Sequence, residues 1–395
     1  MANYGALAAY QRLAKLISLA QALLLLGLLC LWVPFIPDAS GIQFDGINLF
    51  VELKPRAVFA TLANVFGLSV LSYSQAKILF FLLWLYLLIE HLRQYLNVSN
   101  PFSSQGFIYF GLSFLFAFGP VAQLTLNLGY IDVVAYTLSL LCFLISSKAQ
   151  SRSPLVLLGI WACGLIAILI HEKSLFDLAI IGVWLCWQRG IKDAMIKIAP
   201  PLLAATLFLW FVSHKVTSGL PPATYIEILQ ANMFAIFPDS LNIWGIILGG
   251  GTLWILYATL SIAVAIEQKS IVNMFKVTIA SCMMGALCIA PLIVASDTNR
   301  MVDLIWLPCL MMIAALNWPS LFSSGAGKVG LISLCFIQFL IPPFLMYNHG
   351  VVPLNCYANS IAKILPLEDQ SVPRHIGAFS IHGFNRSNAL IQCSQ

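Results

Sequence analysis

Three short groups of charged residues, each beside an apolar run, are the places where this sequence could carry chemistry. The first group follows the first apolar run and contains Asp38, Asp45, Lys54 and Arg56. A carboxylate can take the proton of a hydroxyl group as a new bond forms, so we expect Asp45 or Asp38 to act as a general base. Lys54 or Arg56 could bind a phosphate, in the case of arginine through two parallel hydrogen bonds. The alternative interpretation is a solvated loop that contacts lipid headgroups.

The second group is His171-Glu172-Lys173, in the stretch LLIHEKSLFD. A histidine can accept or donate a proton near neutral pH, and Glu172 could orient a ligand or take a proton. Neighbouring side chains on a helix point about 100° apart, so His171 and Glu172 can face one atom only if the helix has ended. Lys173 and Asp177 could instead pair with each other at a spacing of i, i+4, and the group would then anchor a helix end.

The third group is the stretch SDTNR, residues 296–300, followed by Asp303. Asp297 and Asp303 each lie three residues from Arg300, so both carboxylates can hold this arginine on a helix. A guanidinium held in this way can present its remaining edge to a phosphate. The alternative is an ion-pair network that caps two helices. Asp132, at the entrance of another apolar run, is expected to support the same site.

The composition places these groups in a membrane protein. The chain has 395 residues, of which 60% are hydrophobic and 9% charged, and its mean hydropathy is +0.91. Soluble domains contain about 25% charged residues. We therefore expect an all-α, polytopic integral membrane protein, and the lack of basic runs argues against nucleic acid as a partner. No histidine spacing fits a zinc signature, so we expect no cofactor; a divalent metal stays open as an alternative that no motif supports.

The apolar runs predict about eleven transmembrane helices, because each approaches the length of about 20 residues that a bilayer requires. They cover residues 16–35, 76–96, 107–128, 130–147, 154–170, 174–188, 196–213, 244–266, 274–295, 301–317 and 328–347. The shorter apolar segment 57–72 is expected to lie along the membrane without crossing it. The transmembrane domain is then 1–347, with outer loops at 36–75 and 214–243 and an outer tail at 348–395.

The distribution of basic residues predicts the orientation of this domain. With 57–72 on the surface, most lysines and arginines face one side, which the positive-inside rule makes the cytoplasm. That side holds Arg12, Lys15, Arg93, Lys148, Arg152, Arg189, Lys192, Lys197, Lys269, Lys276 and Lys328. The N-terminus is then cytoplasmic, and the three charged groups face outward. Short loops favour a bacterial inner membrane as the location.

In layout, residues 16–347 resemble the GT-C class of polytopic glycosyltransferases and the related Wzy-type polysaccharide polymerases of bacterial envelopes. The resemblance lies in an N-in first helix, an acidic first outer loop with Asp45 or Asp38, and the amphipathic segment 57–72 after it. The HEK and SDTNR stretches are similar to His-Glu and Asp-x-x-Arg patterns of such envelope proteins. The adjacent acidic pair that many of these enzymes carry is missing from the first loop.

The resemblance implies a GT-C-like fold and transfer of a sugar from a polyprenyl-phosphate or diphosphate donor to a glycan or lipid-linked acceptor. The first-loop carboxylate would take the acceptor's proton, and Arg300, Arg56 and His171 would stabilise charge on the leaving phosphate. Segment 57–72 would seat the isoprenoid tail among membrane lipids. Two alternatives are a membrane acyltransferase that decorates surface polysaccharide, with His171 as its base, and a flippase or transporter of lipid-linked sugars.

Overall fold

A computed structural model gives the architecture of the chain. It describes residues 2–32, 70–98, 103–119, 132–148, 153–171, 173–216, 246–247, 249–293, 303–316, 322, 324–342, 344–347, 350–353, 357 and 360–361.

The described residues are almost entirely helical, and they contain eleven α-helices of ten residues or more. In chain order these are α1 (Ala2–Trp32), α2 (Val70–Tyr95), α3 (Ser104–Ala117), α4 (Asp132–Lys148), α5 (Pro154–Ile170), α6 (Ser174–Arg189), α7 (Ile191–Val216), α8 (Thr252–Ile266), α9 (Ile271–Ile289), α10 (Trp306–Ala315) and α11 (Gly325–Leu340). Short 3-10 helices, Ala290–Ile293 and Asp303–Ile305, follow α9 and precede α10. An antiparallel hairpin pairs β1 (Phe344–Tyr347) with β2 (Gly350–Pro353).

Serine caps explain where several helices begin. The hydroxyls of Ser103, Ser153 and Ser324 each accept a hydrogen bond from a backbone N–H in the first turn of α3, α5 and α11. Such a bond satisfies one of the donors that a helix start leaves without a partner. Pro154 takes the first position of α5, where its missing N–H costs nothing.

Three predicted boundaries were wrong. Helix α3 ends at Ala117, well short of the predicted end at 128. Helix α11 ends at Leu340, and residues 344–347 form a strand instead of the end of the predicted span. Pro342 and Pro343 explain this end, because a proline disfavours helical geometry in the residue before it. Helix α2 begins at Val70, so residues 70–72 belong to it, whereas 57–69 lie outside the described residues.

The helices alternate in direction, so the bundle has two ends. We call the end that contains Asp132, His171 and Asp303 the site end, and the end that contains Glu90 and Asp193 the opposite end. Contacts between helix ends agree with this alternation: the last turns of α2 and α4 meet where Lys148 donates to Gln94, and the start of α8 meets the last turn of α11 where Thr252 donates to Gln338.

Basic residues gather toward the opposite end. Most lie in the first two turns or the last turn of the helices that meet there, Lys269 lies between α8 and α9, and Lys15 lies near the start of the apolar part of α1. They are Lys15, Arg93, Lys148, Arg189, Lys192, Lys197, Lys269, Lys276 and Lys328. Several have defined roles. Arg93 forms an ion pair with Glu90 at 2.6 Å, and Arg189 and Lys197 donate to the backbone carbonyl of Ser146 in the last turn of α4. Cations at this position oppose the negative end of the helix dipole.

A layer of buried apolar side chains separates the two ends. Trp84 and Leu88 of α2, Phe143 of α4 and Trp184 of α6 belong to it, and each is at most 5% exposed. The rings of Phe143 and Trp184 meet edge to face with centroids 5.2 Å apart. The outer faces of the bundle are also apolar, and α9 and α11 expose Phe275 and Phe336.

Gln338 ties three helices together at the site end. Its carbonyl oxygen accepts from the backbone N–H and the hydroxyl of Thr252, and its amide donates to the carbonyl of Phe118. Gly251, just before α8, has a φ of +52°, and a Cβ atom there would lie 2.7 Å from the carbonyl oxygen of Gln338. Only glycine takes this backbone geometry without strain while the amide side chain approaches so closely.

Within the described residues, three helical segments are long and apolar enough to cross a membrane: Leu13–Trp32, Ile78–Tyr95 and Ile271–Ile289. Five shorter helical stretches are also apolar, namely Ser104–Ala117, Pro154–Ile170, Thr252–Ile266, Asp303–Ala315 and Gly325–Leu340. This architecture fits a helical membrane protein.

Candidate functional site

The site end of the bundle contains a buried cluster of polar and charged side chains, and one face of α4 supplies three of them. Asp132, Tyr136 and Ser139 follow each other at spacings of four and three residues, which places them on one side of a helix. Asp132 is 4% exposed, and Tyr136 and Ser139 are almost fully buried.

The three-residue connection between α5 and α6 brings a histidine to this face. Helix α5 ends at Ile170, and His171 adopts an extended backbone. The Nδ1 atom of His171 accepts a hydrogen bond from the backbone N–H of Lys173 at 3.1 Å. Because Nδ1 accepts, a neutral ring carries its proton on Nε2. That Nε2 atom lies 2.9 Å from the Oδ1 atom of Asp132.

Lys173 lies at the centre of a buried triad. Its ammonium group donates to the hydroxyl of Tyr136 and forms an ion pair with Asp303. The Tyr136 hydroxyl donates in turn to the Asp303 carboxylate, 2.7 Å from both of its oxygens. Lys173 Nζ also lies 4.8 Å from the centroid of the Tyr136 ring, within the range of a cation–π contact. The triad therefore joins α4, the α5–α6 connection and the 3-10 helix before α10.

Asp177, in the first turn of α6, lies beside this triad. Its Oδ2 atom accepts a hydrogen bond of 2.8 Å from Ser139. Its Oδ1 atom has no hydrogen-bond partner among the described residues. The side chain is fully buried. Its electrostatic interactions with Lys173, Asp303 and Asp132 place it in the same cluster.

The cluster thus contains three carboxylates, one lysine and one histidine, all nearly excluded from solvent. Burial of charge is costly unless the charges pair and take hydrogen bonds. The triad meets this requirement for Lys173 and Asp303. The three carboxylates outnumber the lysine, so the cluster has an excess of negative charge when its carboxylates are ionised.

No group of three or more His, Cys, Asp or Glu side chains within the described ranges is arranged to hold a metal ion. The lysine, the histidine and the three carboxylates of the cluster contact each other and hydroxyl groups.

The structure brings together three of the residues that the sequence singles out: Asp132, His171 and Asp303. It also meets the condition for His171, because helix α5 ends before it. The pairing of Lys173 with Asp177 was the alternative interpretation of this stretch, and the structure pairs Lys173 with Asp303. The remaining candidates, Asp38, Asp45, Lys54, Arg56, Glu172, Asp297 and Arg300, lie outside the described residues.

Sequence reasoning missed Tyr136 and Ser139, and it gave Lys173 and Asp177 only a local role. A signal for the α4 residues was present. Asp132, Tyr136 and Ser139 form a polar stripe at helical spacing in a run that is otherwise largely apolar. A polar stripe on a membrane helix predicts a face turned toward the protein interior.

Comparison of the chain with protein-family models, with curated proteins and with solved structures finds no match in any of the three.

Proposed function

We propose that this chain is a membrane glycosyltransferase that moves a sugar or oligosaccharide from a polyprenyl-phosphate or diphosphate donor to a glycan or lipid-linked acceptor. The observation that carries the proposal is the buried cluster of Asp132, His171, Lys173, Asp177 and Asp303 at one end of an apolar helical bundle. Charged side chains inside a membrane protein are costly, and they mark functional sites by default.

The membrane arrangement in this proposal has about eleven crossings. The contacts between helix ends agree with eleven helices that alternate in direction, and basic residues gather toward the opposite end. The positive-inside rule then makes the opposite end cytoplasmic and turns the site end outward. An outward site at the membrane surface suits a donor whose isoprenoid chain lies in the bilayer while its sugar reaches water. A bacterial inner membrane is the location that we propose.

The charge of the cluster suits the sugar part of such a donor. Displacement at the anomeric carbon passes through a state in which positive charge develops on the sugar ring. An excess of carboxylates stabilises this charge, and carboxylates also accept hydrogen bonds from sugar hydroxyls. The phosphate needs cations instead, and Lys54, Arg56 and Arg300 are the residues that we propose for it. Asp45 or Asp38 would take the proton of the acceptor hydroxyl.

The apolar layer between the two ends argues against the flippase alternative. A pathway for a polar headgroup needs polar side chains through the thickness of the bundle. Trp84, Phe143 and Trp184 lie instead between the cluster and the opposite end, and all three are buried.

A membrane acyltransferase is the second candidate, and the pair of His171 and Asp132 favours it. A carboxylate next to a histidine orients the ring and stabilises its protonated form, as an acyl-transfer base requires. Both ring nitrogens of His171 are occupied, however, one by Lys173 N–H and the other facing Asp132. To act as the base, His171 would have to give up one of these contacts, which favours the glycosyltransferase.

The test is a transfer assay with the purified full chain in lipid vesicles, supplied with polyprenyl-diphosphate-linked sugars and separately with acyl donors. We expect sugar transfer. Asp45→Asn and Asp38→Asn should identify the base, because the rate of sugar transfer should fall by about 10²–10⁴-fold in one of the two variants. His171→Ala should weaken sugar transfer and not abolish it. Asp193→Asn, at the opposite end, is the matched control. Acyl transfer that His171→Ala abolishes would establish the second candidate instead.

A further inference from the structure

We propose that Asp177 is the proton-binding carboxylate of the cluster, and that its Oδ1 atom takes up and releases a proton. The binding itself follows from geometry. Its use in catalysis rests on the proposed function.

The hydrogen bonds of the three carboxylates differ. Asp303 accepts from Lys173 and Tyr136, so a cation and a hydroxyl stabilise its ionised form. Asp132 faces the Nε2 atom of His171. Asp177 accepts only the Ser139 hydroxyl, at Oδ2, among the described residues, and its buried Oδ1 atom has no partner there. Hydrogen bonds to an ionised carboxylate favour that form, so Asp177, which accepts from one neutral hydroxyl, is less stabilised as an anion than Asp303, which accepts from a cation and a hydroxyl.

The surroundings of Asp177 favour a bound proton further. Among the described groups that face it, Asp132 and Asp303 repel its negative charge and Lys173 attracts it. Other titratable side chains also lie in this region. They are Tyr136 and Cys142 of α4, His171 before α6, Cys288 of α9 and Cys309 of α10, while Asp193 and Lys197 of α7 pair at the opposite end. A proton on Oδ1 removes the buried, unpartnered charge, which is otherwise costly.

The proposed transfer supplies the proton. When the acceptor oxygen bonds to the anomeric carbon, its O–H bond breaks, and the sugar–phosphate bond breaks with its electron pair passing to the phosphate. The first carboxylate that receives the released proton passes it on, and the proton forms an O–H bond at Oδ1 of Asp177 in its ionised form. The Ser139 hydroxyl keeps the side chain in place through Oδ2 during this exchange.

Infrared spectroscopy of the full chain in lipid vesicles tests proton binding without any substrate. A protonated carboxyl group has a C=O stretching band that an ionised carboxylate lacks. We expect such a band to appear and disappear with pH, to shift in D₂O and to vanish in Asp177→Asn. The isosteric substitution Asp193→Asn, at the opposite end, should leave the band intact.

A second variant keeps Asp177 itself and guards against a folding defect in Asp177→Asn. Ser139→Ala removes the hydrogen bond to Oδ2, so the band should move to a higher frequency while remaining titratable. Absence of a titratable band at every pH, its persistence in Asp177→Asn, or its indifference to Ser139→Ala would overturn the assignment. The transfer assay is read separately. If sugar transfer occurs but the titratable carboxyl band is absent, only the assignment of Asp177 as a proton site is refuted. If the band is present but no sugar is transferred, only the glycosyltransferase proposal is refuted.

Discussion

Lys173 and Asp303 are 130 residues apart in the sequence, and their side chains form a buried ion pair at the site end of the bundle. Both are at most 3% exposed. A pair of this kind adds little net stability relative to apolar residues, but removal of one partner leaves an uncompensated charge in the interior. The pair therefore fixes how the 3-10 helix before α10 meets the α5–α6 connection.

Lys173→Met should destabilise the protein strongly, because Asp303 loses its cation. Breaking a buried pair costs about 3–5 kcal/mol. The double variant Lys173→Met/Asp303→Asn removes both charges and should recover more than half of that loss. The thermal unfolding midpoint in detergent is the measurement, and Lys276→Met, an exposed lysine on α9, is the control. A double variant less stable than Lys173→Met would show that the two side chains are not coupled.

Tyr136→Phe should separate the chemistry of the cluster from its packing. The substitution keeps the ring beside Lys173 but removes the hydroxyl that donates to Asp303, so we expect a loss of about 1–3 kcal/mol in the free energy of unfolding. Tyr257→Phe is a matched control, because the Tyr257 hydroxyl donates to the carbonyl of Ser281 away from the cluster. Both variants should lose similar stability.

Only Tyr136→Phe is expected to lower sugar transfer, with a smaller kcat and little change in KM. Equal activity of the two tyrosine variants would mean that the triad is purely structural.

The sequence predicted the helices better than it predicted the partners of their side chains. The ends of α5 and α6 agree closely with the apolar runs 154–170 and 174–188, because serine, proline and glycine mark them locally. The partner of Lys173 could not be predicted, for a physical reason. Asp177 at i, i+4 and Asp303 across the bundle are equally plausible partners until the helix packing is known. No local pattern encodes a contact between segments so far apart in the chain.

Gly111 allows α3 and α11 to approach closely. A Cβ atom there would lie 2.8 Å from a methyl carbon of Leu331, which is itself buried. Gly111→Ala should therefore destabilise the protein by about 1–3 kcal/mol through overpacking. Adding Leu331→Ala should remove the clash and recover part of the loss, as measured by thermal unfolding.

Gly27→Ala in α1 provides the control for this prediction. No atom lies within 4 Å of a Cβ built there, so the substitution should be neutral or stabilising by up to about 1 kcal/mol, as expected for alanine in a helix. If Gly27→Ala destabilises the protein as much as Gly111→Ala does, alanine is poorly tolerated at glycine positions in general. The contact with Leu331 would then not be the cause of the loss.

The orientation of the bundle decides which lipid-linked donors can reach the cluster, and cysteine labelling measures it. Gln75, in the first turns of α2 at the site end, and Lys269, between α8 and α9 at the opposite end, are both exposed. With a membrane-impermeant thiol reagent on intact cells, Gln75→Cys should be labelled above the background of the unsubstituted chain. Lys269→Cys should be labelled only after the membrane is permeabilised. The reverse pattern would place the cluster at the cytoplasmic face, where nucleotide-linked donors are available, and would contradict an outward-facing polyprenyl-dependent transferase.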